Sequence, residues 1–294
     1  MVKTEIDMMF GKTVLCVVAA LALPLCGAEA RDNGRKPSEK PVFSWSRNRM
    51  DGSRTGVGCP GADNVAKALG SVRGSSYLAP NGKVFRGGCT PEVAGILIAA
   101  QPAMADVKEV VGHSPVQMVA EYPESALSNW FIDNMMKAVE EKSGKPVDIG
   151  IVNFGGIRVD MPEGDILKDD IMSMFPFRNN IVYVALKGST VRAILENMAA
   201  TRFQVLGGVR VVARDGKLVS AEIGGKPIDD DKVYGLATIT FLLDGGDDLS
   251  LSRNALEVVE YPEMIYDVMI DVVRRETAAG RDIVYHTDGR VQIQ

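Results

Sequence analysis

Residues 209–225, VRVVARDGKLVSAEIGG, restrict the fold more than any other stretch of this chain. Apolar residues alternate on both sides of Asp215-Gly216, a pair that tolerates the positive φ values of a tight hairpin turn. A strand pair joined so closely must be antiparallel. The neighbouring segments carry the other period. STVRAILENMAATR, just upstream, spaces its apolar residues as a helix does, with Ser189 or Thr190 placed to cap its start. SALSNWFIDNMMKAVEEKSG likewise puts Leu127, Trp130, Phe131, Met135 and Ala138 on one helical stripe that stops at Gly144. Such a stripe is core packing. VDIGIVNF, NIVYVALKG and VYGLATITFLL are short apolar strands, PEMIYDVMIDVVRRETAAG is a long helix, and IVYHTDGRVQI predicts a closing hairpin around Asp288-Gly289. Hairpins mixed with helices define an α+β class rather than a simple doubly wound sheet.

The front of the chain is different. Residues 1–30 combine a short polar start, about a dozen apolar positions and an A-x-A ending at Ala30, the pattern of a signal peptide. Met8 or Met9 suits such a start better than Met1, because Glu5 and Asp7 do not belong in its first region. Cys26 raises lipid attachment as an alternative, although Leu23-Pro24-Leu25 lacks the usual small residue. The apolar run is short for a membrane span. The expectation is an exported protein, periplasmic or at the cell surface. Residues 31–105 read as a polar lead and a Gly/Ser-rich extension with short strands, a turn at Pro80-Asn81-Gly82 and a helix from Pro91 interrupted near Pro102. Residues 106–294 are the expected main domain. Export leaves Cys59 and Cys89, which either close a disulfide or stay as two small buried thiols.

Several classes of chemistry are excluded. The net charge is −5 over 294 residues, and no basic run would grip a nucleic-acid backbone. There is no G-x-S-x-G elbow, P-loop or CxxC. The two histidines, His113 and His286, have no second histidine at ligand spacing, so a histidine-rich dinuclear centre cannot be assembled. Both read as surface or packing residues.

Six pieces in one order carry a resemblance: Glu124 to Asn129 (ES-A-LSN), N-x-GGIR at 153–158, MFPF at 174–177, VALKGSTVRAILE at 184–196, GGVRVV at 207–212 and TFLLDGGDDL at 240–249. From about residue 106 onward the chain resembles the C-terminal, substrate-binding domain of the 5'-nucleotidase/UDP-sugar hydrolase family. The resemblance implies a four-layer α/β/β/α domain that grips a nucleoside while a separate domain carries two metals. It also implies that Phe177 and Phe241 are two planes stacking on a base. Asn153 and Arg158 would face the base edge, Gly155 and Gly156 would let the backbone approach, and Asp247 would accept from the ribose hydroxyls. Gly245 and Gly246 would make the turn that presents Asp247.

Each position has a plainer use. Phe177 and Phe241 could be core, Arg158 could pair with Asp160 or Glu163, Asp247 could be a solvated turn, and Asn153 could cap the next turn. The sequence departs from the family at two places. Asp248 and Leu249 follow the GGD acid, and Glu121-Tyr122-Pro123 stands where members carry an arginine for the anionic part. A phosphate-facing charge is then expected from Arg54, Arg73 or a partner. No cofactor is expected on this chain, with divalent metals on a separate metallophosphatase subunit. The alternative is a non-catalytic nucleoside-binding or scaffold protein of the cell envelope.

Overall fold

The structure, a computed structural model, describes residues 65–294. The expected signal peptide, Cys59 and Arg54 lie outside the described residues. Helix α1 (Val65–Leu69) leads into an antiparallel sheet of β1 (Ser71–Arg73), β2 (Ser76–Leu78) and β3 (Val84–Arg86), on which α2 (Cys89–Ala100) packs. Gly82, at φ 82°, makes the turn expected at Pro80-Asn81-Gly82. The helical run breaks into a 3₁₀ turn over Gln101–Met104, with Pro102 near its start. Cys89 opens α2 in an exposed position, which corrects its reading as a buried thiol.

The remaining elements are β4 (Val110–Ser114), α3 (Ala126–Ser143), β5 (Ile149–Val152), β6 (Gly164–Leu167), α4 (Lys168–Met174), β7 (Asn180–Lys187) and α5 (Gly188–Ala200). They continue with β8 (Val205–Gly207), β9 (Val209–Arg214), β10 (Lys217–Ile223), β11 (Lys226–Pro227), β12 (Val233–Ile239), β13 (Glu257–Met264), α6 (Ile265–Ala278) and β14 (Val291–Ile293). A mixed five-stranded sheet runs β13-β7-β12-β5-β8, with β12 and β5 as its parallel pair. A four-stranded sheet runs β11-β10-β9-β14, and β4 pairs with β6. Helix α3 lies on the five-stranded sheet with α6 beside it, and α5 packs against β10 of the other sheet. The helices and sheets of the expected α+β class are thus in place.

Burial explains the placement. β5 is buried at every position and β7 from Ile181 to Leu186, so these strands are covered on both faces and read as continuous apolar runs. β9 alternates buried with exposed or half-buried residues, as a strand with one covered face must. Its loop to β10 is the predicted Asp215-Gly216 pair, at φ 48° and 71°, joining Arg214 to its partner Lys217. The helix stripe is also as expected: Leu127, Trp130, Phe131, Met135 and Ala138 are all buried.

Two local expectations fail. Neither Ser189 nor Thr190 caps α5; the backbone N–H groups of Gly188 and Ser189 donate instead to the carbonyls of Lys232 and Asp230. The closing hairpin does not form either. β14 pairs in parallel with β9, and residues 281–290 cross without a strand. The reason is a set of polar contacts that holds Asp288-Gly289 against the start of α3. Glu124 Oε1 accepts from the backbone N–H of Asp288 at 2.7 Å and of Gly289 at 3.2 Å, and from Asn129 Nδ2 at 2.7 Å. The buried Arg290 guanidinium donates to both Asp133 oxygens at 2.8 and 2.9 Å and to Asp288. Ser125 caps α3 by accepting from Ser128 N, while Ser128 Oγ accepts from Ser125 N. The ES-A-LSN piece therefore builds a helix start and a clasp.

Candidate nucleoside site

Three connections place the candidate residues. β5 ends at Val152, and Asn153 to Gly156 turn away in a 3₁₀ turn. α4 ends before Phe175-Pro176-Phe177, which leads into β7. β12 ends at Ile239, and Thr240–Leu242 form a further 3₁₀ turn before the glycine loop. Since β7, β12 and β5 are neighbours in one sheet, these three connections carry the candidate polar and aromatic residues to a common region.

The paired phenylalanines of MFPF divide the work. Phe175 is buried, its ring centroid 4.3 Å from that of Phe131 on α3, and it is the core plug. Phe177, two residues on, is 47% exposed, and Phe241 is 45% exposed. Neither is core, which sets aside the plainer reading of both. Leaving each ring about half in water forfeits roughly half of the 1.5–3 kcal/mol that full burial would contribute.

Asn153 is 6% exposed, and its Oδ1 is buried without a hydrogen-bond partner among the described residues. Its side chain does not cap the following turn. With Gly156, Phe177 and Asn179 it lines a pocket of about 10 Å³, room for one small group, floored by Phe131 and Ile239. A Cβ on Gly156 would stand 2.9 Å from Asn153 Oδ1, close enough to displace that side chain. Arg158 donates to the Gly155 carbonyl at 3.2 Å, and its guanidinium lies 5.8 Å from the Phe177 ring centroid. Asp160, one of the two acids that offered it a pairing, accepts from Ala120 N at 3.1 Å.

The glycine loop is tied to Phe241. A Cβ on Gly246 would collide with the Phe241 carbonyl oxygen and stand 2.8 Å from its ring. Gly245 has φ 106°, Asp247 φ 48° and Asp248 φ 60°, so two consecutive acids adopt the left-handed region. Buried Leu249 anchors the loop, exchanging backbone hydrogen bonds with Gly245 and Gly246 at 2.7 and 2.9 Å. Asp247 Oδ2 lies 3.9 Å from where a Gly155 Cβ would be, which brings the two turns together. An open groove of about 510 Å³ runs past them, lined by Phe154, Gly155, Arg202, Gln204, Asp247 and Asp248.

Asn179, Arg202 and Gln204 were not singled out by the sequence. Asn179 follows Phe177 by two residues and accepts from Thr240 Oγ1 at 3.4 Å. Gln204 Oε1 accepts from Phe154 N at 3.0 Å. Only its position beside a recognised motif could have flagged Asn179; nothing local marks the other two. His113 and His286 are both exposed, His113 beside Asp282 and His286 on Tyr285. Among the described residues, no group of three or more His, Cys, Asp or Glu is placed to hold a metal ion. No described helix is long and apolar enough to cross a membrane.

The fold and these motifs define a domain of the α+β class. Residues 110–253 match the family model for the 5'-nucleotidase, C-terminal domain. It is 35% identical over 105 residues to protein UshA of Salmonella pullorum, covering 34% of this chain and 19% of that protein. It is 26% identical over 214 residues to a 5'-nucleotidase-related protein of Glossina morsitans morsitans, covering 61% and 39%. Among solved structures, the 5'-nucleotidase precursor from Thermus thermophilus superposes with a TM-score of 0.60 at 24% identity, covering 69% of this chain and 43% of that one. The chain thus spans about a fifth of the length of the curated UshA relative.

Proposed function

We propose that this chain recognises the nucleoside part of a nucleotide, within a 5'-nucleotidase-type phosphoester hydrolase whose two metals reside on a separate metallophosphatase subunit. The observation that carries the recognition is the buried, unpartnered Asn153 Oδ1 beside the exposed Phe177 ring. An unpaired buried acceptor costs roughly 1–3 kcal/mol, which a ligand N–H recovers on binding. Phe177 and Phe241 would hold the flat base, and Asp247 would accept from the ribose hydroxyls. The described residues do not fit the two metals, so no step of bond cleavage is assigned to them. The chain's part is positioning: binding energy from the remote nucleoside orients a scissile phosphate on the partner. Export to the periplasm or cell surface belongs to the same proposal, supported by the pattern of residues 1–30.

Thermal unfolding tests recognition. A nucleoside at about 100 times its dissociation constant should stabilise the chain by about 2.7 kcal/mol, whereas free ribose at the same concentration should not. Phosphate release from AMP by a purified metallophosphatase, with and without this chain, tests the split arrangement. No gain in rate or selectivity would leave a nucleoside-binding protein without a catalytic partner.

A further inference from the structure

Helix α2 is apolar on both of its faces. Pro91, Ala94, Gly95 and Ile98 form the less exposed stripe, which packs on the three-stranded sheet. Val93, Ile96 and Leu97 point the other way, with Ile96 63% and Leu97 56% exposed. A helix that is hydrophobic all round is normally buried. The sheet beneath it is also uncovered, since Leu78 and Val84, a cross-strand pair, are both exposed. Among residues 65–105 only Ala68, Gly70 and Pro91 are buried. Strands of three residues hold only against an apolar layer, and here half of that layer is in water. The charges beside this face have one sign. Lys67, Arg73, Lys83 and Arg86 are all exposed, and Glu92 is the one acid within residues 65–105. Arg73, which the sequence offered for a phosphate, does not line the groove beside Asp247 and stands on this rim instead.

We propose that the outer face of α2 is the surface on which the metal-bearing subunit docks, through an aliphatic patch rimmed by carboxylates. The inference rests on the two-subunit reading above and gives that partner its place and its chemistry. The matching family model is that of a C-terminal domain and begins at residue 110, so α2 stands where the longer relatives join that domain to the rest of their chains. Val93, Ile96 and Leu97 make an uncharged aliphatic centre, the composition of a permanent interface rather than a passing contact. The basic rim chooses the occupant. A second copy would bring four cations against four, whereas an acidic rim on a different protein would complement them. A helix lying on a membrane carries Lys or Arg on its polar face, and residues 89–104 contain neither. The dock is also tied to the nucleoside site. The 3₁₀ turn Asp106–Lys108 that follows α2 is pinned to α4, where Lys168 Nζ donates to Asp106 at 2.6 Å, and α4 ends at Phe175-Pro176-Phe177.

The test is the affinity of the full chain for the purified metallophosphatase whose AMP hydrolysis it raises, measured by calorimetric titration of the parent and of Ile96→Glu, Leu97→Glu and Arg86→Glu. Val219→Glu, at an exposed position of β10, is the control. Ile96 and Leu97 are exposed, so a carboxylate there should leave the fold intact, and adenosine binding checks that it does. Ile96→Glu and Leu97→Glu should each weaken partner binding at least about thirtyfold, the loss of one interface hot spot, while the control binds as the parent does. Arg86→Glu should cost less, and its effect should fade in high salt. Unchanged partner affinity in both α2 variants overturns the inference while the two-subunit reading stands. So does a parent chain that sediments as a dimer which Ile96→Glu dissociates, or one that binds anionic phospholipid vesicles through the same residue. If no metallophosphatase gains activity from the parent chain, the two-subunit reading itself fails and takes the inference with it.

Discussion

Phe177 and Asp247 show what a single residue contributes here. Phe177 is exposed one proline away from a buried Phe175, and that contrast is invisible to composition. Phe177→Ala is expected to weaken nucleoside binding by about 1–3 kcal/mol, the worth of one base–aromatic stack, with little change in thermal stability; fluorescence or calorimetric titration measures the first and thermal unfolding the second. Asp247→Asn separates charge from backbone. Asn tolerates φ near 48° at least as well as Asp, so the loop should keep its shape while ribose-dependent affinity falls. Binding of adenosine against the free base measures that difference. The sequence marked both residues through the order of its motifs, not through local chemistry. Without that order, an apolar ring after a proline reads as core. Arg202 and Gln204 escaped because their roles depend on contacts with residues 122 and 154, far away in the chain.

At the scale of elements, the fold was legible wherever local periodicity and turn chemistry agreed. Asp215-Gly216 predicts its hairpin because both residues take positive φ and the flanking residues alternate. Asp288-Gly289 has the same turn signal, yet no hairpin follows. There the competing interaction is long-range: Arg290 is drawn to Asp133 and the turn's N–H groups to Glu124, which leaves β14 beside β9. Breaking this clasp should be costly. Asp133→Ala takes one of its two carboxylate partners from the buried Arg290 guanidinium, leaving Asp288, and is expected to destabilise the chain by about 2–3 kcal/mol, measured by chemical denaturation. Ser125→Ala, which removes only the cap of α3, should cost about 1 kcal/mol. Equal losses from the two substitutions would contradict the clasp.

For the whole molecule, the clasp couples stability to pH. The Arg290 guanidinium beside Asp288 holds its carboxyl below the usual carboxylate range. A depressed folded value means the contribution is present above about pH 3.9, the ordinary Asp value, and is lost as pH falls through the folded value. Burial pushes Asp267 the opposite way, so the informative quantity is the difference between the parent chain and Asp288→Asn. That difference in unfolding free energy should be present at neutral pH and shrink as the solution is acidified below about pH 4. The sheet itself sets the site, because β5, β7 and β12 deliver their three connections to one region. The most direct test of nucleoside recognition is calorimetric titration of the full chain with adenosine, repeated on Phe177→Ala and Phe241→Ala. The account predicts saturable binding to the parent chain that each substitution weakens. Binding unaffected by both substitutions, or no binding at all, would contradict it.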